Sequence, residues 1–467
     1  MNRKETLAGK LKATAVSGKY PFHMPGHKRN VPEKIGELLR DPFSFDTTET
    51  EETDNLHHAA GILKTAMDHA AEVYRTRKTC FLVNGSTCGI QAAILSCVKP
   101  GDHILMASNS HLSAYRAKDL AGAVPVFADP PVLSPYGFAG SINPEDTERI
   151  LKKDKKIRAV FITSPTYEGI LSDVKTIAGQ AHKAGIPLIV DEAHGAHLFF
   201  LPVEMRKEYG LCSAAECGAD IVIQSLHKTL PALTQTALLH VCSDRADVEK
   251  IRKYLSVFET SSPSYVLMAS IDACVRWMEK DGRSAMKKYA ARLEKSRNAF
   301  LSGRRFSLWV PGESEKENGS VYAFDPGKLV FGAEGKNDLT GRNMASLFRK
   351  AYGIETEMAG PGYVLAMTSV SDTEEGFTKL EKAVRETDLF LCGERISAAA
   401  EKILREEERK PASGIRFPKG EVRDYIYCYP PGIPVAVPGE ILSSEKKTRI
   451  TAAALSGCQV MGVERYG

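Results

Sequence analysis

The sequence predicts an α/β protein built on a mostly parallel sheet, and three observations predict it. Short apolar runs, rich in β-branched residues, recur at 79–83, 103–106, 124–127, 159–162, 187–190, 219–223 and 236–241. Helical periods separate most of them, and strand–helix alternation implies right-handed crossovers between parallel strands. Polar residues gather directly after the strands: Ser86 and Thr87, Ser110 and His111, Ser164 and Thr166, Asp191 and His194, and Ser225 to Lys228. In such sheets ligands bind beyond the carboxyl ends of the strands.

Composition narrows the function classes. The 467 residues suffice for two to three domains. Lysine and arginine exceed aspartate and glutamate by four, with no basic block, which gives little support to a nucleic-acid or membrane-surface role. The ten cysteines, among them Cys80, Cys97, Cys242 and Cys274, are scattered through apolar segments without paired spacing and read as reduced thiols of a cytoplasmic protein. No CxxC pair occurs, and no metal site and no secretory or membrane-spanning run is expected.

Residues 1 to about 60 form an arm with little regular pattern, punctuated by Pro21, Pro25, Gly26, Pro32 and Pro42. Leu63, Met67, Ala70, Ala71 and Tyr74 then recur at helical steps. After the strand at 79–83 come Asn84-Gly85-Ser86-Thr87-Cys88-Gly89 and a helix to 98. A strand, a glycine-bearing turn, two hydroxyls and a helix N-terminus make an anion cup. Read alone, Ser86 or Thr87 would be an N-cap. Helices are expected at 113–120, at 144–152 with Asn143 as cap and Pro144 first, and at 174–184.

Two strand ends carry the chemistry. Gln224-Ser225-Leu226-His227-Lys228-Thr229-Leu230 follows one apolar strand, and Asp191-Glu192-Ala193-His194 completes another. Alone, Lys228 reads as one solvated lysine among many. Paired with Asp191 it matches a pyridoxal phosphate (PLP) site, in which a lysine holds the cofactor as a Schiff base and a carboxylate faces the pyridinium nitrogen. A nearby carboxylate favours the protonated ring nitrogen.

These residues also carry a family resemblance. Ser225-x-His227-Lys228-Thr229-Leu230, followed by Leu233-Thr234-Gln235, resembles the cofactor-lysine motif of the bacterial ornithine/lysine/arginine decarboxylases, fold-type I PLP enzymes related to the aspartate aminotransferases. The similarity extends in order to Pro21-Phe22-His23-Met24-Pro25-Gly26-His27-Lys28, Asp54-Asn55-Leu56-His57-His58, Thr260-Ser261-Ser262-Pro263-Ser264-Tyr265 and Tyr429-Pro430-Pro431-Gly432-Ile433-Pro434. It implies a fold-type I large domain with a mostly parallel seven-stranded sheet and a smaller α+β domain. It implies that His111 stacks on the cofactor ring, that His194 contacts the substrate carboxylate or the imine, and that Ser225 and His227 reach the phosphate. Thr166 joins the cofactor-binding set. Ser261 and Ser262 would reach the phosphate of a partner subunit in a homodimer or higher oligomer, and the arm would cover the active site or the dimer interface. Read alone, the cluster at 260–264 is an N-cap for a helix at 265–278. Cys88 stands where the family more often has a small or hydroxyl residue, and Val370-Ser371-Asp372-Thr373 replaces its usual Gly-Asp-Thr run.

The expected organisation is an arm at 1–60, a PLP-binding domain at 61–303, a small α+β domain at 304–395 and a C-terminal segment at 396–467. Helices are expected at 247–258, 289–301, 340–352 and 373–387, with small-domain strands at 320–324, 328–331 and 364–367. The run 402–410 reads as a solvated helix face or linker, and Glu440 as either a partner for a substrate cation or a local ion pair. No N-terminal wing of the kind carried by the larger family members is expected, and in this the chain resembles the short form. The expected activity is decarboxylation of a basic L-amino acid, arginine ahead of lysine or ornithine, with polyamine biosynthesis as the setting. An aminotransferase or carbon–carbon lyase of the same fold is the second reading, and a non-catalytic scaffold the third.

Overall fold

The computed structural model describes residues 6–333, 339–398, 400–403, 414–456 and 458–466. Seven strands form the central sheet: β1 Lys78–Leu82, β2 His103–Ala107, β3 Val124–Ala128, β4 Ile157–Thr163, β5 Leu188–Asp191, β6 Ile221–Gln224 and β7 Ala237–Val241. Their spatial order is β1-β7-β6-β5-β4-β2-β3, and only β7 runs antiparallel to its neighbours. Strands β5 and β6 are buried at every position. A strand covered on both faces gains from apolar side chains on each, so its sequence is a continuous apolar run. Alternate residues feed two cores: Met106, Phe161, Ile189 and Ile223 on one face, and Leu105, Val160, Leu188 and Val222 on the other.

The helices begin where capping chemistry predicts. Asn143 accepts from Glu145 N, Asp247 from Lys250 N, Ser264 from Leu267 N and Thr373 from Gly376 N. Helix Tyr265–Trp277 runs through a π turn, Met278–Gly282, into Arg283–Phe300, so the helical region is longer than its sequence pattern indicates.

A second sheet follows, made of β8 Phe306–Leu308, β9 Lys328–Ala333, β10 Met358–Ala359 and β11 Tyr363–Met367, in the antiparallel order β8-β9-β11-β10. Helices Gly341–Ala351 and Glu374–Leu391 pack beside it. The run at 320–324 behaves differently from expectation. Only Ala323–Phe324 is a strand, and it pairs with Ile170–Leu171 beyond β4 rather than with the second sheet. The C-terminal part has its own small core, Val422, Ile426, Ala436, Ile450 and Val460. It is built on β12 Ile426–Tyr429, β13 Ile433–Ala436 and β14 Gln459–Met461 with helix Ser444–Leu455. Within the charged run, residues 404–410 lie outside the described residues.

The arm is more regular than its sequence suggests. It holds helices Leu7–Ala15 and Glu33–Leu38, and Tyr20–Phe22 pairs in parallel with Ile354–Thr356. Helix Leu7–Ala15 buries no residue, so no apolar stripe announces it. Among the described residues no helix is long and apolar enough to cross a membrane.

Candidate active site

The strand ends of the central sheet bring Lys228, Asp191, His194, Ser225 and Ser86 into one region. Strand β6 ends at Gln224 and turns at once into the four-residue helix Leu226–Thr229, which carries His227 and Lys228. Asp191, last in β5, pairs in register with Ile223 of β6 and Thr163 of β4. Its Oδ1 accepts from Ala193 N at 3.1 Å. Burial pushes the Asp191 carboxyl above the ordinary carboxylate range, and the Lys228 charge pulls it back. Burial likewise lowers the proton affinity of Lys228, opposed by Asp191 and Glu357. Each group thus favours the charge of the other.

His194 lies on the turn after β5, 5% exposed, with Nε2 at 3.0 Å from the Lys228 amine. Its proton affinity is held well below the ordinary range by burial and by the cations Lys228 and Lys328. His111 caps helix Leu112–Ala121, its Nδ1 accepting from Ser113 N at 3.1 Å. Burial takes its pKa down to about 4. The Tyr429-Pro430-Pro431-Gly432 motif forms the turn between β12 and β13 and reaches this point, since Leu112 N donates to Gly432 O at 2.9 Å.

Strand β1 is followed by the turn at Asn84 and helix Gly85–Cys97, whose first turn carries Ser86 and Thr87. Ser86 is half-buried with its hydroxyl against that of Ser225, while Thr87 is exposed on the same first turn. Cys88 is buried, and its thiol donates to Gly85 O at 3.0 Å. His227 Nδ1 donates to Thr236 O at 2.9 Å, and burial lowers its pKa to about 4.

Other sequence candidates sit elsewhere or serve their own loops. Ser110 donates to Ala107 O, Ser164 accepts from Ser172 N, and Thr166 Oγ1 accepts from Ile170 N at 3.1 Å, shaping the turn after β4. Ser261 and Ser262 are exposed beside Thr260, whose carbonyl meets His57 Nε2 at 3.0 Å, and Tyr265 donates to Asp54 O at 2.6 Å. Two of the sequence motifs are therefore joined there. Glu440 pairs locally with Lys446 at 2.6 Å.

Four further residues build the region without having been site candidates in the sequence. The Tyr167 ring lies 4.5 Å from the His194 ring, and its hydroxyl donates to Glu357, which also accepts from Met24 N at 2.7 Å. Lys28 is buried and donates to His23 O and Met367 O, both at 2.8 Å. Lys328, at the start of β9, reaches His194 Nδ1 at 2.8 Å. Lys28 lay in a motif already singled out, and the turn Asp325-Pro326-Gly327 places Lys328 at a strand start.

The residues fit PLP. A lysine of lowered proton affinity and a buried carboxylate occupy adjacent strand ends, and the first turn of a 13-residue helix offers N–H groups and hydroxyls for a phosphate. Thr163 Oγ1, opposite Asp191, and Thr229 Oγ1, next to Lys228, are buried without hydrogen-bond partners. Buried hydroxyls rarely stay unpaired in a completed site.

Residues 6–373 match the family model described as Orn/Lys/Arg decarboxylase, major domain. The chain is 29% identical to arginine decarboxylase of Bacillus subtilis over 99% of its own length and 96% of the relative's. It is 30% identical to arginine decarboxylase of Halalkalibacterium halodurans, over 99% and 96% of the two lengths. In structure it resembles the Francisella novicida lysine decarboxylase LdcF, with a TM-score of 0.71 and 18% identity, over 97% of this chain and 75% of that one. Ureidoglycine-glyoxylate aminotransferase of Bacillus subtilis shares the fold at a TM-score of 0.60 and 15% identity, over 83% and 98% of the two chains. From its arm to the end of its second sheet, the chain belongs to the Orn/Lys/Arg decarboxylase family.

Proposed function

We propose that the chain binds PLP through Lys228 and decarboxylates a basic L-amino acid, arginine ahead of lysine and ornithine, to its amine and carbon dioxide. The observation that carries the reading is the placement of the Lys228 amine and the Asp191 carboxyl on neighbouring strand ends, each shifting the other's charge. The arginine decarboxylases that match this chain over nearly its full length favour that substrate.

PLP bound there supplies an electron sink for the pair left at the alpha carbon when the carboxylate departs. The chain supplies the rest. Asp191 keeps a ring nitrogen protonated by charge at short range. Ser86, Thr87 and Ser225, with the helix N-terminus behind them, hold the phosphate, and His227 steadies the lysine loop. His111 would cover the ring face. Burial shifts the Lys228 amine toward the neutral form that attacks a carbonyl.

The exposed Ser261 and Ser262 fit a role on a second subunit, so the reading includes a homodimer or a larger assembly with shared sites. Ten free thiols fit a reducing cytoplasm, and the amine product fits polyamine biosynthesis.

Carbon dioxide release from arginine, lysine and ornithine, measured in parallel on PLP-loaded protein, tests the reading. Release from at least one, without a keto acid as co-substrate, is expected. Amino-group transfer to a keto acid with no carbon dioxide would replace it with an aminotransferase.

A further inference from the structure

His194 stands between two buried lysines. Its Nε2 faces the Lys228 amine at 3.0 Å, and its Nδ1 faces the Lys328 amine at 2.8 Å. Lys328 is 5% exposed, and the fold makes room for its stem. Gly169 has φ +98°, and a Cβ there would lie 2.6 Å from Lys328 Cγ. Gly169 O also accepts Asp325 N at 2.8 Å, which fixes the turn that delivers Lys328.

Asp325 faces Lys328 as its counter-charge. Its Oδ1 accepts Gly327 N at 2.8 Å, and its Oδ2 lies 3.2 Å from His197 Nε2. Glu357 and Glu168 are the other acids that act across this space, Lys228 and Lys28 the other cations, and Tyr289 the nearby phenol. Burial, opposed by Asp325 and Glu357, brings the Lys328 pKa down to about 7.

An ammonium group has three donors and no lone pair. Facing a charged Lys328, Nδ1 must therefore accept. A neutral imidazole that accepts on one nitrogen carries its proton on the other. Burial between two lysines keeps His194 neutral. We propose that Lys328 is a positioning residue that fixes His194 as the tautomer protonated on Nε2, so that the imidazole offers an N–H to the Lys228 amine and to whatever that amine carries. That N–H meets the Lys228 nitrogen in its uncharged form, through the lone pair, while a charged Lys328 stands beside Asp325. The inference rests on the reading of Lys228 as the cofactor lysine, and its test does not depend on cofactor.

The test is the imidazole ¹⁵N spectrum of histidine-labelled protein without PLP, at about pH 6, where Lys328 is charged and His194 neutral. The His194 signals are those missing from His194→Gln. The expected result is a protonated Nε2 and an unprotonated Nδ1 in the parent chain, kept in Lys328→Arg and lost to a mixture or to the Nδ1-protonated form in Lys328→Met. A proton on Nδ1 in the parent chain overturns the proposal without any variant, as does an unchanged tautomer in a folded Lys328→Met. Separately, PLP-loaded Lys228→Ala should lose the absorbance band of lysine-bound cofactor. If the band stays, the reading of Lys228 fails while the tautomer result stands.

Discussion

Gly26 donates its backbone N–H to the carbonyl oxygen of His227 at 2.6 Å, so the arm is tied to the residue before Lys228. A Cβ at position 26 would lie 2.8 Å from both the N and the O of Leu230, which are backbone atoms that cannot rotate away. Gly26→Ala must shift either the arm or the lysine loop. Overpacking of this kind costs about 1–3 kcal/mol. The expected outcome is a lower melting temperature together with weaker PLP retention, read by thermal melting and by cofactor titration.

Lys28 holds the arm from the other side. Its buried amine donates to His23 O and Met367 O, with the buried Asp372 as the nearby acid. Removing one partner of a buried charge set leaves the other uncompensated, at about 3–5 kcal/mol. Lys28→Ala should therefore destabilise by several-fold more than a surface lysine substitution such as Lys316→Ala. Denaturant unfolding of both variants checks this.

Asp191→Asn keeps the size and burial of the side chain but not its charge. The fold should survive, since Asp191 makes one side-chain bond to backbone, from Ala193 N. Carbon dioxide release should fall roughly 100-fold or more, in the range seen when a preorganised electrostatic group is lost. Parallel melting curves and rate measurements separate the two effects.

Glu259 gives a pH signature near the cup. Its Oε1 accepts Val83 N at 2.8 Å, and burial raises its pKa from 4.5 to about 7. Between those values the folded chain binds a proton that the unfolded chain has released. By linkage this contribution to stability is fully present below the unfolded value and is lost as pH rises through the folded one. The whole effect amounts to about 3 kcal/mol. Glu259→Gln keeps an oxygen for Val83 N, so its melting temperature should change less than the parent's between about pH 5 and about pH 8.

Much of the sheet was legible because β5 and β6 are buried on both faces and so read as unbroken apolar runs. Asp191 and Lys228 stood out as candidates because Asp191 ends such a run and Lys228 comes four residues after another. The Lys328–His194 contact was not, since its partners are 134 positions apart and lysine is seldom buried. Ala323–Phe324 was given to the wrong sheet because a short strand carries no sign of which edge it will meet, and its partner Ile170–Leu171 lies far earlier in the chain. The arm's order likewise depends on Tyr20–Phe22 pairing with Ile354–Thr356, which no local pattern encodes.

The central claim is that Lys228, rather than either of the other two lysines buried in the region, carries the cofactor. Borohydride reduction of the PLP-loaded chain, followed by peptide mass spectrometry, locates the link. The account predicts the phosphopyridoxyl group on Lys228 alone. Its appearance on Lys328 or Lys28 would contradict the account.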